Sequence, residues 1–132
     1  MEMPSGDADG ANANKTGKFD LAERTARFGE TVVGFARGIK IDAVTSPLIK
    51  QVVRSATSVG ANYCEADEAG SKKEFRYRIS VCNREVRETK HWLRMIAVAS
   101  PQGKDQARLL WKEANELNLI FSAIFRKSKP KE

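Results

Sequence analysis

His91 is the only histidine in the 132-residue chain, and it stands three residues after Glu88. A Glu-x-x-His pair is half of a carboxylate-bridged di-iron centre, which takes a second such pair from another helix of the bundle. The sequence holds no second pair, so a single chain does not supply that centre. Cys64 and Cys82 are the only cysteines, too few for a disulfide framework and without the further pair a Cys-rich zinc site needs. Neither lies in a local signature of a cysteine nucleophile, and no glycine-rich phosphate loop is present. Glu85 and Glu88 interleave with Arg84 and Arg87, which reads as helix-surface or interhelical ion pairing rather than as a general acid and base. The expectation is a protein that is not an enzyme, with no metal and no cofactor. Its two thiols are expected to be reduced in the cytoplasm.

What remains is electrostatic chemistry. The chain carries 23 Lys+Arg against 17 Asp+Glu, a net charge of +6. That surplus is not spread evenly: the first 69 residues sum to −2 and the rest to +8. Within the second half, Lys72, Arg76, Arg87, Lys90 and Arg94 fall within roughly 60° of one another on a helical wheel, with no acid between them. A row of guanidinium forks and ammonium groups can clasp phosphates of RNA or DNA. The same row also fits an ordinary solvated helix face. No aromatic ladder interleaves with these bases, so any nucleic-acid binding would be led by the sugar–phosphate backbone and only weakly sequence-selective.

Four helices must position these side chains. Residues 1–18, rich in Gly, Ala, Asn and Asp, show no apolar period and are expected to form a disordered tail; they lack the apolar stretch of a secretory signal. The bundle is expected over 19–128, with helices at about 20–41, 47–69, 72–99 and 105–127, and a flexible tail at 129–132. Asp20 with Glu23 and Ser71 with Glu74 have the spacing of capping boxes, and Ser46-Pro47 has the form of a cap followed by proline in the first helical position. The apolar seams repeat at alternating three and four residues: Leu21, Thr25, Phe28, Val32, Phe35, Ile39 in the first helix and Phe75, Ile79, Cys82, Val86, Thr89, Leu93, Ile96 in the third. Breaks at Pro47, Gly70 and Pro101 divide the pattern into bundle-sized pieces, and the turn at Gly70 is short enough to force an antiparallel hairpin. The fold class is all-α, an antiparallel up-down-up-down four-helix bundle. No run approaches the ~20 apolar residues that span a bilayer, so no membrane is implied.

The third helix has a second apolar row, Tyr77, Val81, Trp92 and Met95, about 120° from its seam. It can widen the core, or it can form a subunit interface, where Trp, Tyr and Met are enriched.

The segments QVVRSATSVGANYCEA (51–66), SKKEF (71–75) and EVRETKHWL (85–93) resemble a family of four-helix bundle proteins first known from intervening sequences in bacterial large-subunit ribosomal RNA genes. The family pattern falls on Arg54, Ser55, Ser58, Asn62 and Glu65 of the second helix and on Glu85, Glu88 and Leu93 of the third. The chain departs from it at Tyr63-Cys64-Glu65-Ala66, where many members read Ile-Ala-Glu-Gly. The resemblance implies a ring-like homopentamer without enzymatic activity. It also implies a kinship with the accessory protein of diversity-generating retroelements, a basic pentamer that binds nucleic acid and a reverse transcriptase. Arg54, Asn62, Glu65, Glu85 and Glu88 are expected to be structural, with Asn62 and Glu65 reaching towards Arg84, Glu85 and Glu88.

Overall fold

The computed structural model describes residues 20–130. The expected tail at 1–18 lies outside the described residues, as do 131–132. Four helices follow one another: α1 Leu21–Arg37, α2 Thr45–Asp67, α3 Lys72–Ala99 and α4 Lys104–Lys127, with a 3-10 turn at Pro101–Gly103 before α4. No strand occurs among the described residues, and the all-α bundle stands as expected.

Local chemistry explains most of the boundaries. Asp20 caps α1 by accepting from the Glu23 N–H at 3.1 Å. Ser71 caps α3 by accepting from the Glu74 N–H at 3.1 Å, while the Glu74 carboxylate reaches back to the Gly70 N–H at 3.1 Å. Both arrangements satisfy first-turn donors that no helical carbonyl can reach. Two boundaries differ from the sequence reading. The first helix ends at Arg37 rather than near 41, because the Gly38 N–H turns back to Phe35 and closes the last turn. The second begins before Ser46. It starts at Thr45 with Val44 as the N-cap residue, which makes no side-chain cap; the Asp42 carboxylate, two residues earlier, accepts from the N–H groups of Val44 and Thr45, both at 2.8 Å, while the Thr45 hydroxyl accepts from the Asp42 N–H at 3.0 Å. Asp42 takes up two of the free donors at this end, so Ser46 does not act as the cap; Pro47 is the third residue of α2, where its missing N–H still costs nothing.

The polar bridges between helices fix the topology. Asn62 meets Arg78 and Arg54 meets Glu85, so α2 and α3 run antiparallel; Arg76 meets Phe125 and Lys90 meets Asn115, so α3 and α4 do too. At the α1–α2 crossing Gly29 and Gly60 let the backbones approach: a Cβ on Gly60 would stand 3.4 Å from the Thr25 carbonyl. The core holds Phe28, Val32 and Phe35 of α1, Val52, Ala56 and Val59 of α2, Ile79, Val86, Leu93 and Ile96 of α3, and Leu110, Ala114, Leu117 and Phe121 of α4. Leu21, Thr25, Phe28, Val32 and Phe35 of α1 are all buried, as the three-four spacing requires, and Ile39, just past the helix end, is buried as well.

Candidate nucleic-acid interface

The basic arc of α3 does not lie open to solvent as a continuous stripe. Helix α4 packs against part of it. Arg76 lays its guanidinium 3.8 Å above the Phe125 ring and points one N–H at the Phe125 carbonyl, 3.4 Å away; its Nε has no hydrogen-bond partner. Lys90 donates to Asn115 Oδ1 and Asn118 Oδ1, each at 3.1 Å, and stands 5.3 Å from the centre of the Trp111 ring. Between them Asn83 donates to the Ser122 hydroxyl at 3.1 Å and accepts from Asn118. These residues form a polar ladder that clips α3 to α4. Arg76 and Lys90 are therefore half-buried packing residues, whereas Lys72, Arg87 and Arg94 are exposed. A helix in a bundle touches two neighbours, and a seam read from one helix alone underestimates how far round the wheel those contacts reach.

The exposed bases of α3 are joined by bases of α4. At one end of the pair, Arg94, Lys104 and Arg108 line a groove of about 320 Å³ whose other walls are Leu93, Ala97, Ala107 and Trp111. No acidic side chain lines it. Lys104, Ala107, Arg108 and Trp111 share one face of α4, being three and four residues apart. At the opposite end Lys72, Lys127 and Lys129 border a second groove of about 440 Å³, together with Ser71 and Phe75. Lys72 and Arg94 lie 22 residues apart on α3, about 33 Å at ~1.5 Å per residue, with Arg87 between them. Lys104 and Arg108 are not legible from the α3 pattern because they belong to another helix, and Trp111 reads in the sequence only as an aromatic off the seam of that helix. Their common face on α4 was the available signal.

Several acids near this face are engaged elsewhere, whereas Asp105, next to Lys104, is exposed. Arg54 of α2 pairs with Glu85 at 3.1 Å and with Glu88 as well. Glu88 also accepts from the Trp92 indole N–H at 2.9 Å. The partner of these acids is thus Arg54, not Arg84 or Arg87, which are exposed. On α4, Glu113 takes two hydrogen bonds from Arg24 of α1, at 2.7 and 2.8 Å. These two bonds hold the Arg24 pKa above its ordinary value. The remaining motif residues are structural in their contacts. Asn62 bonds to Ser58 on its own helix and accepts from Arg78 at 3.1 Å, so its partner on α3 is neither Arg84 nor an acid. Ser55 and Thr89 share a buried hydrogen bond of 2.8 Å. Glu65 is exposed and takes no part in this network.

The second apolar row of α3 is divided. Tyr77 is 58% exposed, while Val81 is 7% exposed and so cannot serve an interface. Trp92 packs against the core, and Met95 is half-buried. Arg78 and Glu88, on either side of Val81 in sequence, both bridge to α2, which accounts for the burial of this stretch. Val98, at 78% exposure, joins Tyr77 as an open apolar residue of the helix.

Neither thiol is placed for chemistry at this face. Cys82 is fully buried and its sulfur lies 3.6 Å from the Val59 carbonyl; burial pushes its pKa up to about 12. Cys64 is exposed on α2. Among the described residues no three His, Cys, Asp or Glu side chains are grouped to hold a metal ion. No helix among them is long and apolar enough to cross a membrane.

The architecture has a solved counterpart. A crystal structure of a protein of unknown function from the S23 ribosomal protein family of Bacteroides thetaiotaomicron superposes with a TM-score of 0.71. The match covers 80% of this chain and 97% of that one at 24% sequence identity, a likeness of fold. No curated protein matches the chain. The model of the 23S rRNA-intervening sequence proteins matches residues 18–123, which takes in α1 to α3 and most of α4. The chain belongs to the 23S rRNA-intervening sequence protein family.

Proposed function

We propose that the protein is a non-catalytic, homo-oligomeric bundle that binds nucleic acid through the exposed bases of the α3–α4 face. The observation that carries this reading is the convergence of Arg94, Lys104 and Arg108 on one groove with no acid lining it. Glu85, Glu88 and Glu113 are held by Arg54 and Arg24, so they do little to cancel that field. The partner is RNA or DNA, gripped mainly by its phosphates. The oligomer draws on exposed Tyr77 and Val98, and the pentameric count on the family resemblance. The cytoplasm suits two cysteines that stand as free thiols.

Fluorescence polarisation with a labelled RNA and a labelled DNA tests the reading. Binding should be measurable at ~50 mM salt, fall steeply by ~200 mM, and weaken when Arg87, Arg94 and Arg108 are each changed to Gln. A second reading, a protein-interaction scaffold or accessory subunit that binds no nucleic acid itself, is favoured by the exposed apolar residues Ile41, Val44, Leu109 and Leu119. Absence of binding at ~50 mM salt would select it.

A further inference from the structure

The groove between the C-terminal end of α3 and the start of α4 differs from the rest of the basic face. Three bases stand around apolar walls made by Leu93, Ala97, Ala107 and Trp111. Trp111 is 37% exposed. Lys90, fixed by Asn115 and Asn118, holds its ammonium 5.3 Å from the indole ring centre and so helps to set the ring's position. A purely phosphate-binding surface has no use for an indole and two alanines between its cations. A volume of about 320 Å³ lies at the small end of the ~300–1,000 Å³ typical of ligand clefts, room for one planar group and not for a helix.

We propose that this groove receives one unpaired nucleobase of a single-stranded nucleic acid, stacked on Trp111, with the adjoining phosphates on Arg94, Lys104 and Arg108. The inference rests on the nucleic-acid reading above and narrows it to strands whose bases are free. A duplex keeps its base faces stacked inside and would present only phosphates and groove edges to the apolar wall. An unpaired base offers a π face that an indole can cover, and every base has one, so recognition by this groove is tolerant of sequence. RNA and DNA strands share this chemistry.

The test uses the full-length protein with a short oligouridylate, its deoxy counterpart, and a duplex of the same length. Single strands should quench tryptophan emission and bind the wild type more tightly than the duplex does. Trp111→Leu should weaken single-strand binding about tenfold, the stacking of one base, and leave duplex affinity unchanged. Trp111→Phe should retain part of the loss. Comparison of the ribo- and deoxy-oligomers shows which strand is preferred. Should Trp111→Leu fail to fold, Arg108→Gln at the exposed rim serves instead: it should lower single-strand affinity while emission still quenches. If single strands and duplex bind alike and Trp111→Leu changes neither, the base-stacking inference is overturned while the broader nucleic-acid reading survives. If no strand binds at ~50 mM salt, that broader reading falls as well.

Discussion

Arg54 holds two carboxylates on the neighbouring helix, one of them nearly sealed from water: the Glu85 side chain is 9% exposed and that of Arg54 48%. Removing the cation leaves Glu85 with an uncompensated charge next to the core. Arg54→Ala should therefore destabilise the protein by about 1–3 kcal/mol, less than a fully buried pair would give because the guanidinium is half in water. Glu65→Ala should change stability by less than ~0.5 kcal/mol. Urea unfolding of the two variants measures both, and equal losses would contradict a structural role confined to the Arg54 network. Asp42 makes a pH prediction. The N–H groups of Thr45 and Val44 hold its carboxyl below the ordinary value of 3.8. A depressed folded pKa stabilises above the unfolded value and ceases to do so as pH falls through the folded one. Asp42→Ala should thus lower Tm at neutral pH, and the gap to wild type should close in strong acid. Cys82, with its thiol raised to about 12 and no exposure, should resist a thiol reagent at pH ~8 while Cys64 reacts, giving one reactive thiol per folded chain.

Helix by helix, the repeat of apolar residues made the seams legible, because period and burial are the same fact seen from two sides. The seam residues from Leu21 to Phe35 and from Ile79 to Ile96 face inward where that repeat puts them. Caps with one strong candidate, Asp20 and Ser71, were legible too. The start of α2 was not, because Ser46-Pro47 has the local form of a cap and only the fold of the preceding loop brings the Asp42 carboxylate to the N–H groups of Val44 and Thr45. The basic stripe was half legible for a similar reason. Charge on one helix shows which side is polar, but whether Arg76 and Lys90 meet water or α4 depends on the neighbour's Phe125, Asn115 and Asn118. The ladder makes its own prediction: Asn118→Ala removes a partner from both Lys90 and Asn83 and should destabilise by about 1–2 kcal/mol in urea unfolding. A loss no larger than that of an exposed-site substitution would show that the ladder does not clip the helices.

At the scale of the whole molecule, a net +6 is a modest charge, but it is concentrated in the second half, and Glu85, Glu88 and Glu113, three of the six acids of α3 and α4, are tied to α1 and α2. A homopentamer would carry about +30 before screening, a field able to steer a polyanion over about one Debye length. Light scattering at micromolar protein should give a mass about five times 14.7 kDa, and a monomeric mass would remove the assembly from the account. Tyr77→Glu is the cleaner probe of the interface than a change at Trp92, because Tyr77 is exposed whereas Trp92 packs on the core. It should lower that mass while far-ultraviolet circular dichroism still shows a folded helical chain. Nucleic-acid binding by the basic face is decided by the salt dependence of RNA and DNA association, measured for the wild type and the Arg87→Gln, Arg94→Gln and Arg108→Gln variants. Log affinity should fall straight and steeply with log salt between ~50 and ~200 mM, with a slope shallower in each variant by roughly one phosphate contact. Affinity that ignores salt, or variants with the wild-type slope, would contradict binding by that face.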